Sequence, residues 1–152
     1  MRRTLGCALL VVFVAMGLGA CAGRDSAPAS SMPSLYKRLG GREGIAIVVG
    51  DFTANMAADP RVNERFKDKK PADLEAFKSK VADQICEATG GPCSYYGKDM
   101  KAAHEGMRVT EAEWNATVED LVKALDKNNV DARSKQELLG ALAPLKKDIV
   151  GQ

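Results

Sequence analysis

The sequence predicts an all-α fold, and three observations support this prediction. From Ser34 onward, apolar residues recur at the three- and four-residue spacing of helices, and no segment shows the alternation of a strand. The helical segments end at glycine or proline signals, such as Asp59-Pro60 and Gly90-Gly91. The chain of 152 residues contains no internal repeat and no coiled-coil heptad run. We therefore expect one helical domain, which occupies residues 35–152.

The first 20 residues are typical of a secretory signal peptide. Two arginines precede an apolar stretch from Leu5 to Met16, and small residues follow it. The stretch is too short, and wrongly flanked, for a membrane-spanning helix. The run Leu18-Gly19-Ala20-Cys21 resembles a bacterial lipobox, which implies cleavage before Cys21 and lipidation of that cysteine. The alternatives are an ordinary signal peptide that is cut nearby and an anchor that is not cleaved.

Residues 21–34 connect the expected lipid to the domain. The run AGRDSAPASSMP, residues 22–33, is small, polar and interrupted by proline, which is typical of a flexible tether. With a lipid on Cys21, we expect the domain to be anchored to a membrane of the bacterial cell envelope and to face the periplasm. Ala22, directly after the cysteine, points to the outer membrane if the host is Gram-negative.

The charge balance excludes nucleic acid as a partner. The sequence has 22 basic and 20 acidic residues. Arg2 and Arg3 leave with the signal, so 20 residues of each sign remain in the mature chain. A neutral chain lacks the basic surface that attracts a phosphate backbone. The short basic run Lys67–Lys70 is therefore expected to be a solvated loop.

The first half of the domain is predicted to contain three helices and one turn. SLYKRLGG, residues 34–41, is a short helix that ends at Gly40-Gly41. Residues 42–59 form the second helix, and residues 60–66 form a short helical turn. Residues 71–89 form the third helix, which has Pro71 in its first turn. The apolar faces of the two long helices consist of Ile45, Val48, Val49, Phe52 and Met56, and of Leu74, Phe77, Val81 and Ile85.

The end of the domain is also predicted to be helical. Residues 109–130 begin with Thr110 as N-cap and Glu113 three residues later, which is the pattern of a capping box. The last segment, residues 131–150, is helical with an interruption at Pro144. The apolar face of the first of these helices carries Trp114, Val118, Leu121 and Leu125.

Between these halves, DMKAAHEGMRV at residues 99–109 contains the only histidine of the chain, His104. On a helix, Met100, Ala103, His104 and Met107 share one face, which places the imidazole within an apolar stripe. Such a histidine is usually a core residue, but neutral imidazole is also the commonest metal ligand in proteins. The spacing alone leaves both interpretations open, a buried core residue and a metal or haem ligand.

The four cysteines fall into two groups. Cys7 lies in the signal and Cys21 is the expected lipid site, which leaves Cys86 and Cys93 in ICEATGGPC. Gly90-Gly91-Pro92 breaks the helix between them, so the chain can fold back and bring the sulfurs together. The pair is either a disulfide, which persists in an oxidising compartment, or two buried free thiols. A zinc site is disfavoured because the chain has no second cysteine pair and a single histidine.

Several motifs occur together along residues 35–150. LYKRLGG begins the domain, DFTANMAADPRV ends the second helix and is followed by Phe66, and TGGPCSYYGKDMKAAH leads to VTEAEW. In this combination the chain resembles a group I truncated haemoglobin. The resemblance implies a two-over-two helical sandwich around one haem b, an iron protoporphyrin. It also implies that His104 is the proximal ligand of the haem iron, the ligand that defines a globin.

The resemblance assigns further residues to the haem pocket. Phe52 and Phe66 match the pocket phenylalanines of the family, and Phe77 and Val81 match the distal-helix positions that face the gas ligand. Lys80 lies on the same helix and is expected either in solvent or near the iron or a propionate. The other positions that match haem contacts are Ile85, Tyr95, Met100, Met107, Val109, Trp114, Val118 and Leu121. Haem contact and core packing do not exclude each other at these positions.

The chain departs from the family at two distal positions. The family usually has a tyrosine directly after the phenylalanine matched by Phe52, and this tyrosine donates a hydrogen bond to the oxygen ligand. Thr53 stands there instead, and Val81 stands where the family usually has glutamine. Oxygen gains from a hydrogen-bond donor in a dry pocket. We therefore expect weaker oxygen retention, or a ligand such as nitric oxide or carbon monoxide, with Thr53 as a remaining donor, directly or through water.

The function that follows is a membrane-tethered haem protein that reversibly binds a diatomic gas, which is oxygen, nitric oxide or carbon monoxide. Because the sequence has no second histidine, the sixth position of the iron is expected to be open or held by water. One alternative is a haem enzyme, a nitric oxide dioxygenase or peroxidase-like protein, whose redox partner the sequence does not name. The other alternative is a helical lipoprotein domain without haem.

Overall fold

A computed structural model describes residues 32–152, so the predicted signal peptide, Cys7, the lipid site Cys21 and the tether up to Ser31 lie outside the described residues. Within residues 32–152 the all-α prediction is confirmed, because the only strand-like pairing there is an isolated parallel bridge between Val109 and Val150. No helix of this part is both long and apolar enough to cross a bilayer. The helices are α1 (Leu35–Arg38), α2 (Gly41–Ala58), α3 (Pro71–Ala88), α4 (Met100–His104), α5 (Glu111–Lys127) and α6 (Ala132–Leu142), with 3-10 turns at Asn63–Arg65 and Ala143–Asp148.

Helix α2 is central to the domain, because it packs against both α3 and α5. Its side chains Ile45 and Val49 are at most 1% exposed, and Leu125 of α5 and Leu138 of α6 are buried to the same degree. Full burial of one such side chain contributes about 1.5–3 kcal/mol to folding. The fold is therefore held by the apolar faces that the helical spacing predicts, with α6 contacting α1 and α3 at the side.

The helix ends follow the signals read from the sequence. The hydroxyl of Thr110 accepts from the Glu113 backbone N–H at 3.1 Å, and the Glu113 carboxylate accepts from the Thr110 backbone N–H at 2.8 Å. The predicted capping box is thus confirmed. Pro71 is the first residue of α3, where its missing N–H costs no helical hydrogen bond. Gly90 follows the end of α3 with φ +80°, a left-handed conformation that favours glycine.

The prediction of a continuous helical stripe through residues 99–109 is wrong. Helix α4 ends at His104, so Met107 lies beyond the helix, and Ala103 is exposed. The chain leaves the helical conformation at Glu105, where ψ is 128°, and then turns through Gly106 with φ +77° and Arg108 with φ +51°. Periodicity could not reveal this, because contacts with distant parts of the chain fix the segment.

Candidate haem site

The single imidazole is the last residue of α4. Asp99 is the N-cap of α4, and its side chain accepts from the backbone N–H of Ala102 at 2.9 Å. Nδ1 of His104 lies 2.7 Å from the carbonyl oxygen of Met100. A carbonyl can only accept, so Nδ1 carries the proton and donates it, which leaves the lone pair on Nε2. The half-buried imidazole is thus oriented as a metal ligand would need to be.

Aromatic and aliphatic side chains of α3 and of the preceding connection form one apolar wall. The rings of Phe66 and Phe77 meet edge to face, with their centroids 5.8 Å apart and an angle of 71° between their planes. Phe77 and Val81 are half-buried and pack against the core, and Ile85 is 3% exposed. Phe77, Val81 and Ile85 are four residues apart and therefore lie on one face of α3. This face is apolar, and Lys80 is exposed beside it.

Helix α3 approaches α4 through a residue that the sequence reasoning missed. The amide nitrogen of Gln84 lies 3.3 Å from the sulfur of Met100, the residue whose carbonyl accepts from His104. Gln84 follows Val81 by three residues and therefore lies on the same side of α3. That spacing was the signal that could have identified it. The wall predicted to be apolar therefore includes one amide, which points toward α4.

Helix α2 contributes Phe52 and Thr53, which are 7% and 5% exposed. The hydroxyl of Thr53 donates to the carbonyl oxygen of Val49, one turn earlier in the same helix, at 2.8 Å. A hydroxyl has a single proton to donate. The Thr53 hydroxyl therefore has no second proton with which to donate a hydrogen bond to a ligand near α2.

The remaining residues predicted for the site lie on the loop before α4, after α4 and on α5. Tyr95 is half-buried and donates from its hydroxyl to the carbonyl oxygen of Lys98 at 2.8 Å. Burial, together with the nearby negative charge of Asp99, raises the pKa of Tyr95. Leu121 is 5% exposed, whereas Met107 is 37% exposed. The half-buried members of this group are Met100, Val109, Trp114 and Val118.

The sulfurs of Cys86 and Cys93 are bonded in the structure, with the two Cα atoms 5.8 Å apart. The turn between them runs close to its neighbours at Gly91. A Cβ atom on that glycine would lie 2.6 Å from the Cys86 sulfur and 2.5 Å from the ring of Tyr36. The disulfide therefore ties the loop that leads to α4 directly to the end of α3.

The donor set fits haem. Residues 32–152 contain no group of three or more histidine, cysteine, aspartate or glutamate side chains that could hold a metal ion. Haem iron, in contrast, needs only one strong ligand from the protein, and a flat apolar ring needs apolar walls. One imidazole with a free Nε2, beside half-buried apolar side chains on α3, α4 and α5, meets both requirements. The fold and the site define a class of protein, the helical haem-binding domains.

Comparisons with known proteins identify the family. Residues 34–151 match the model of the family described as bacterial-like globin. A group 1 truncated haemoglobin of Mycolicibacterium paratuberculosis is 32% identical over 116 residues, which are 76% of this chain and 83% of the relative. The truncated haemoglobin of Tetrahymena pyriformis, solved in its Fe(III) form, is 28% identical with a TM-score of 0.74, and the match covers 79% of this chain and all of that one. The chain belongs to the bacterial-like globin family.

The family membership settles the cofactor and the general activity. Globins hold haem, typically haem b, and this chain is therefore a haem protein that binds a diatomic gas. The comparisons favour this conclusion over the alternative of a helical domain without haem. The expected two-over-two arrangement is also supported by the 2/2 haemoglobin of Synechococcus sp. PCC 7002, which matches 79% of this chain and all of its own at 28% identity and a TM-score of 0.70.

Proposed function

We propose that His104 would be the protein's ligand to the haem iron and that side chains of α2 and α3 would line the place where the gas binds. The observation that carries this proposal is the hydrogen bond from Nδ1 of His104 to the Met100 carbonyl, which leaves Nε2 as the coordinating atom. The sequence offers no second imidazole. When bound, the haem supplies an iron with one open position at which a diatomic gas can coordinate.

We further propose that the distal side, which Phe52, Thr53, Phe77 and Val81 form, favours carbon monoxide and nitric oxide over oxygen. The proton of the Thr53 hydroxyl is held by the Val49 carbonyl, and Val81 has no polar atom. Oxygen depends on a hydrogen-bond donor for retention more than the other two gases do. These residues therefore give oxygen little polar support, and the Gln84 amide on the same side of α3 points toward Met100.

Absorption spectra of the purified full-length protein, reconstituted with haem, test the role of His104. We expect an intense Soret band that shifts on reduction and on addition of carbon monoxide. His104→Gly should lose this spectrum and recover it when imidazole is added, because free imidazole can enter the space of the deleted side chain. Lys101→Ala is the matched control, since Lys101 is an exposed residue of the same helix. A His104→Gly protein with the wild-type spectrum and no response to imidazole would exclude His104 as the ligand.

The rate of oxygen dissociation from the reduced protein tests the distal proposal. Valine has nearly the shape of threonine but no hydroxyl, so Thr53→Val removes the donor and little else. We expect an unchanged rate, because the hydroxyl proton is already engaged within α2. An increase of about tenfold, the effect of losing one hydrogen bond of about 1.4 kcal/mol, would show that Thr53 supports oxygen and would refute the proposal.

We also propose that the globin domain is tethered to a membrane of the bacterial cell envelope through lipid on Cys21. The support comes from residues 1–34, where a signal-like segment, the run Leu18-Gly19-Ala20-Cys21 and a polar tether follow one another. Growth of an expressing bacterium with labelled palmitate should label the protein. Cys21→Ser should abolish the label and release the protein from the membrane fraction, while Cys7→Ser should do neither. An unlabelled wild-type protein would reject the tether and leave the haem proposal untouched.

A further inference from the structure

The position of His104 is secured only in part by its own helix, through the hydrogen bond from Nδ1 to the Met100 carbonyl. Helix α4 has five residues, and a single helical turn is not stable by itself. After His104 the chain turns through Gly106 and Arg108, both of which have positive φ. The backbone N–H of Met107 donates to the His104 carbonyl at 2.9 Å, so one hydrogen bond closes the turn over residues 104–107. Whatever holds Met107 therefore also holds His104.

Arg65 holds that turn from a distant part of the chain. It ends the 3-10 turn Asn63–Arg65 and directly precedes Phe66. Its Nη1 donates to the carbonyl oxygen of Met107 at 2.8 Å. Its Nε and Nη2 donate to one carboxylate oxygen of Glu113 at 2.9 and 2.7 Å. The guanidinium thus joins the turn after His104 to the first turn of α5.

Glu113 completes the connection with its second carboxylate oxygen. That oxygen accepts from the backbone N–H of Thr110 at 2.8 Å and from the Thr110 hydroxyl at 2.9 Å. The two side chains are only 32% (Arg65) and 20% (Glu113) exposed, so water screens this pair less than a fully exposed one. The Arg65–Glu113 pair therefore bonds both Met107 and Thr110, two residues of the segment that follows His104.

The chemistry of the contact requires arginine. Three N–H groups of one planar guanidinium bond a carbonyl and a carboxylate at once. The ammonium of lysine carries the same charge but cannot reproduce this fixed geometry. The loop also has a second support, because Val109 pairs with Val150 and its carbonyl accepts from the Gly151 N–H at 2.9 Å. Loss of Arg65 should therefore reorient the segment and leave the fold intact.

We infer that Arg65 is a positioning residue for His104, and that through Met107 and Glu113 it sets the orientation of the imidazole toward the iron. The inference rests on the proposed role of His104 as the iron ligand. Arg65 touches neither the imidazole nor, by this proposal, the gas. Its effect is therefore on the iron–histidine bond and on the retention of haem.

Resonance Raman spectra of the reduced, gas-free full-length protein measure the iron–histidine stretching band directly. Arg65→Met and Arg65→Lys should both shift and broaden this band and should speed haem transfer to an acceptor apoprotein about tenfold. In the protein before haem is added, the backbone amides of Met107 and Thr110 should exchange hydrogen faster. Arg61→Met is the matched control, because Arg61 lies in the same connection but pairs with Asp59 and Glu119.

The outcomes separate this inference from the proposed function. A wild-type protein without an iron–histidine band would reject the role of His104 and, with it, the role of Arg65. A wild-type band that Arg65→Met and Arg65→Lys leave unmoved would overturn the inference alone. A lowered unfolding midpoint with an unmoved band would likewise overturn it, because Arg65 would then serve only stability. A shifted band in both Arg65 variants, with Arg61→Met like the wild type, supports the inference.

Discussion

The proposed distal wall of the haem pocket, formed by α2 and α3, differs from the proposed proximal wall, formed by α4 and residues 105–110, in what holds it. Each distal helix has 18 residues, and α2 buries Ile45 and Val49 almost completely. The proximal wall has a five-residue helix and no buried residue, and side chains from other elements hold it in place. The two walls thus depend on different forces, apolar burial on one side and directed hydrogen bonds on the other.

The largest effect should come from a cavity under the distal wall. Ile45→Ala removes a side chain that is 1% exposed and should lower the free energy of unfolding by about 3 kcal/mol. Met107→Ala, on the proximal wall, removes a side chain that is 37% exposed and should change it by less than about 0.5 kcal/mol. Urea unfolding of the two variants checks this. Equal losses would mean that the walls do not differ as described.

The second-largest effect on stability should come from loss of the disulfide, which links the distal wall to the loop before α4. Replacing both Cys86 and Cys93 by alanine should lower the free energy of unfolding by about 2 kcal/mol, because the unfolded chain gains freedom. Thermal unfolding measures the change. Wild-type protein treated with a reductant is the control, since it keeps both side chains and should lose a similar amount. If neither protein is destabilised, the bond does not support the loop.

A polar group added to the distal wall should slow the dissociation of oxygen. Val81→Gln places an amide at a half-buried position of α3 and should slow oxygen dissociation about tenfold, the effect of one hydrogen bond of about 1.4 kcal/mol. Val81→Leu, which adds bulk without a donor, should not slow it. Stopped-flow measurement of the reduced protein compares the three rates. Equal slowing in both variants would assign the effect to size and would contradict the polar explanation.

The smallest effect should appear at the proximal wall as the pH falls. Burial raises the pKa of Glu113, but hydrogen bonds from Thr110 and Arg65 lower it more, so it lies below its ordinary value of 4.5. A carboxyl with a lowered pKa in the folded state stabilises the protein above about pH 4.5, and this contribution is lost as the pH falls through the lowered value. Glu113→Gln should therefore be less stable than the wild type at about pH 7, with the difference shrinking in acid.

Urea unfolding at several pH values measures this difference. Glu111→Gln is the matched control, because Glu111 lies in the same turn of α5 but pairs only with the half-exposed Lys146. A difference between Glu113→Gln and wild type that stays constant down to about pH 3 would contradict the role of the ionised carboxylate.

The same contrast explains what could be predicted from the sequence. The apolar spacing of Ile45, Phe52 and Val81 defines α2 and α3, because helices held by burial record their contacts in local periodicity. The capping box of Thr110 and Glu113 could also be predicted from the sequence, because it joins two residues that are only three positions apart.

The proximal details could not be predicted, because their causes lie far along the chain. The end of α4 at His104 depends on contacts of residues 107–109 with Arg65 and with the segment around Val150. The direction of the Thr53 hydroxyl and the contact of Gln84 with Met100 depend on side-chain torsions and on helix packing. No sequence pattern records the direction of the Thr53 hydroxyl, and the three-residue spacing of Gln84 from Val81 indicates only the side of α3 on which Gln84 lies. The motifs predict the identity of the site residues, but they do not record the forces that orient these side chains.

The bridge between Val109 and Val150 has a consequence for shortening the chain. Besides this bridge, the Arg108 backbone N–H donates to the carbonyl of Gln152. Residues 150–152 therefore act as a backbone support of the turn that follows His104. A chain shortened by these three residues keeps α2, α3 and α5 but loses these backbone partners of that turn.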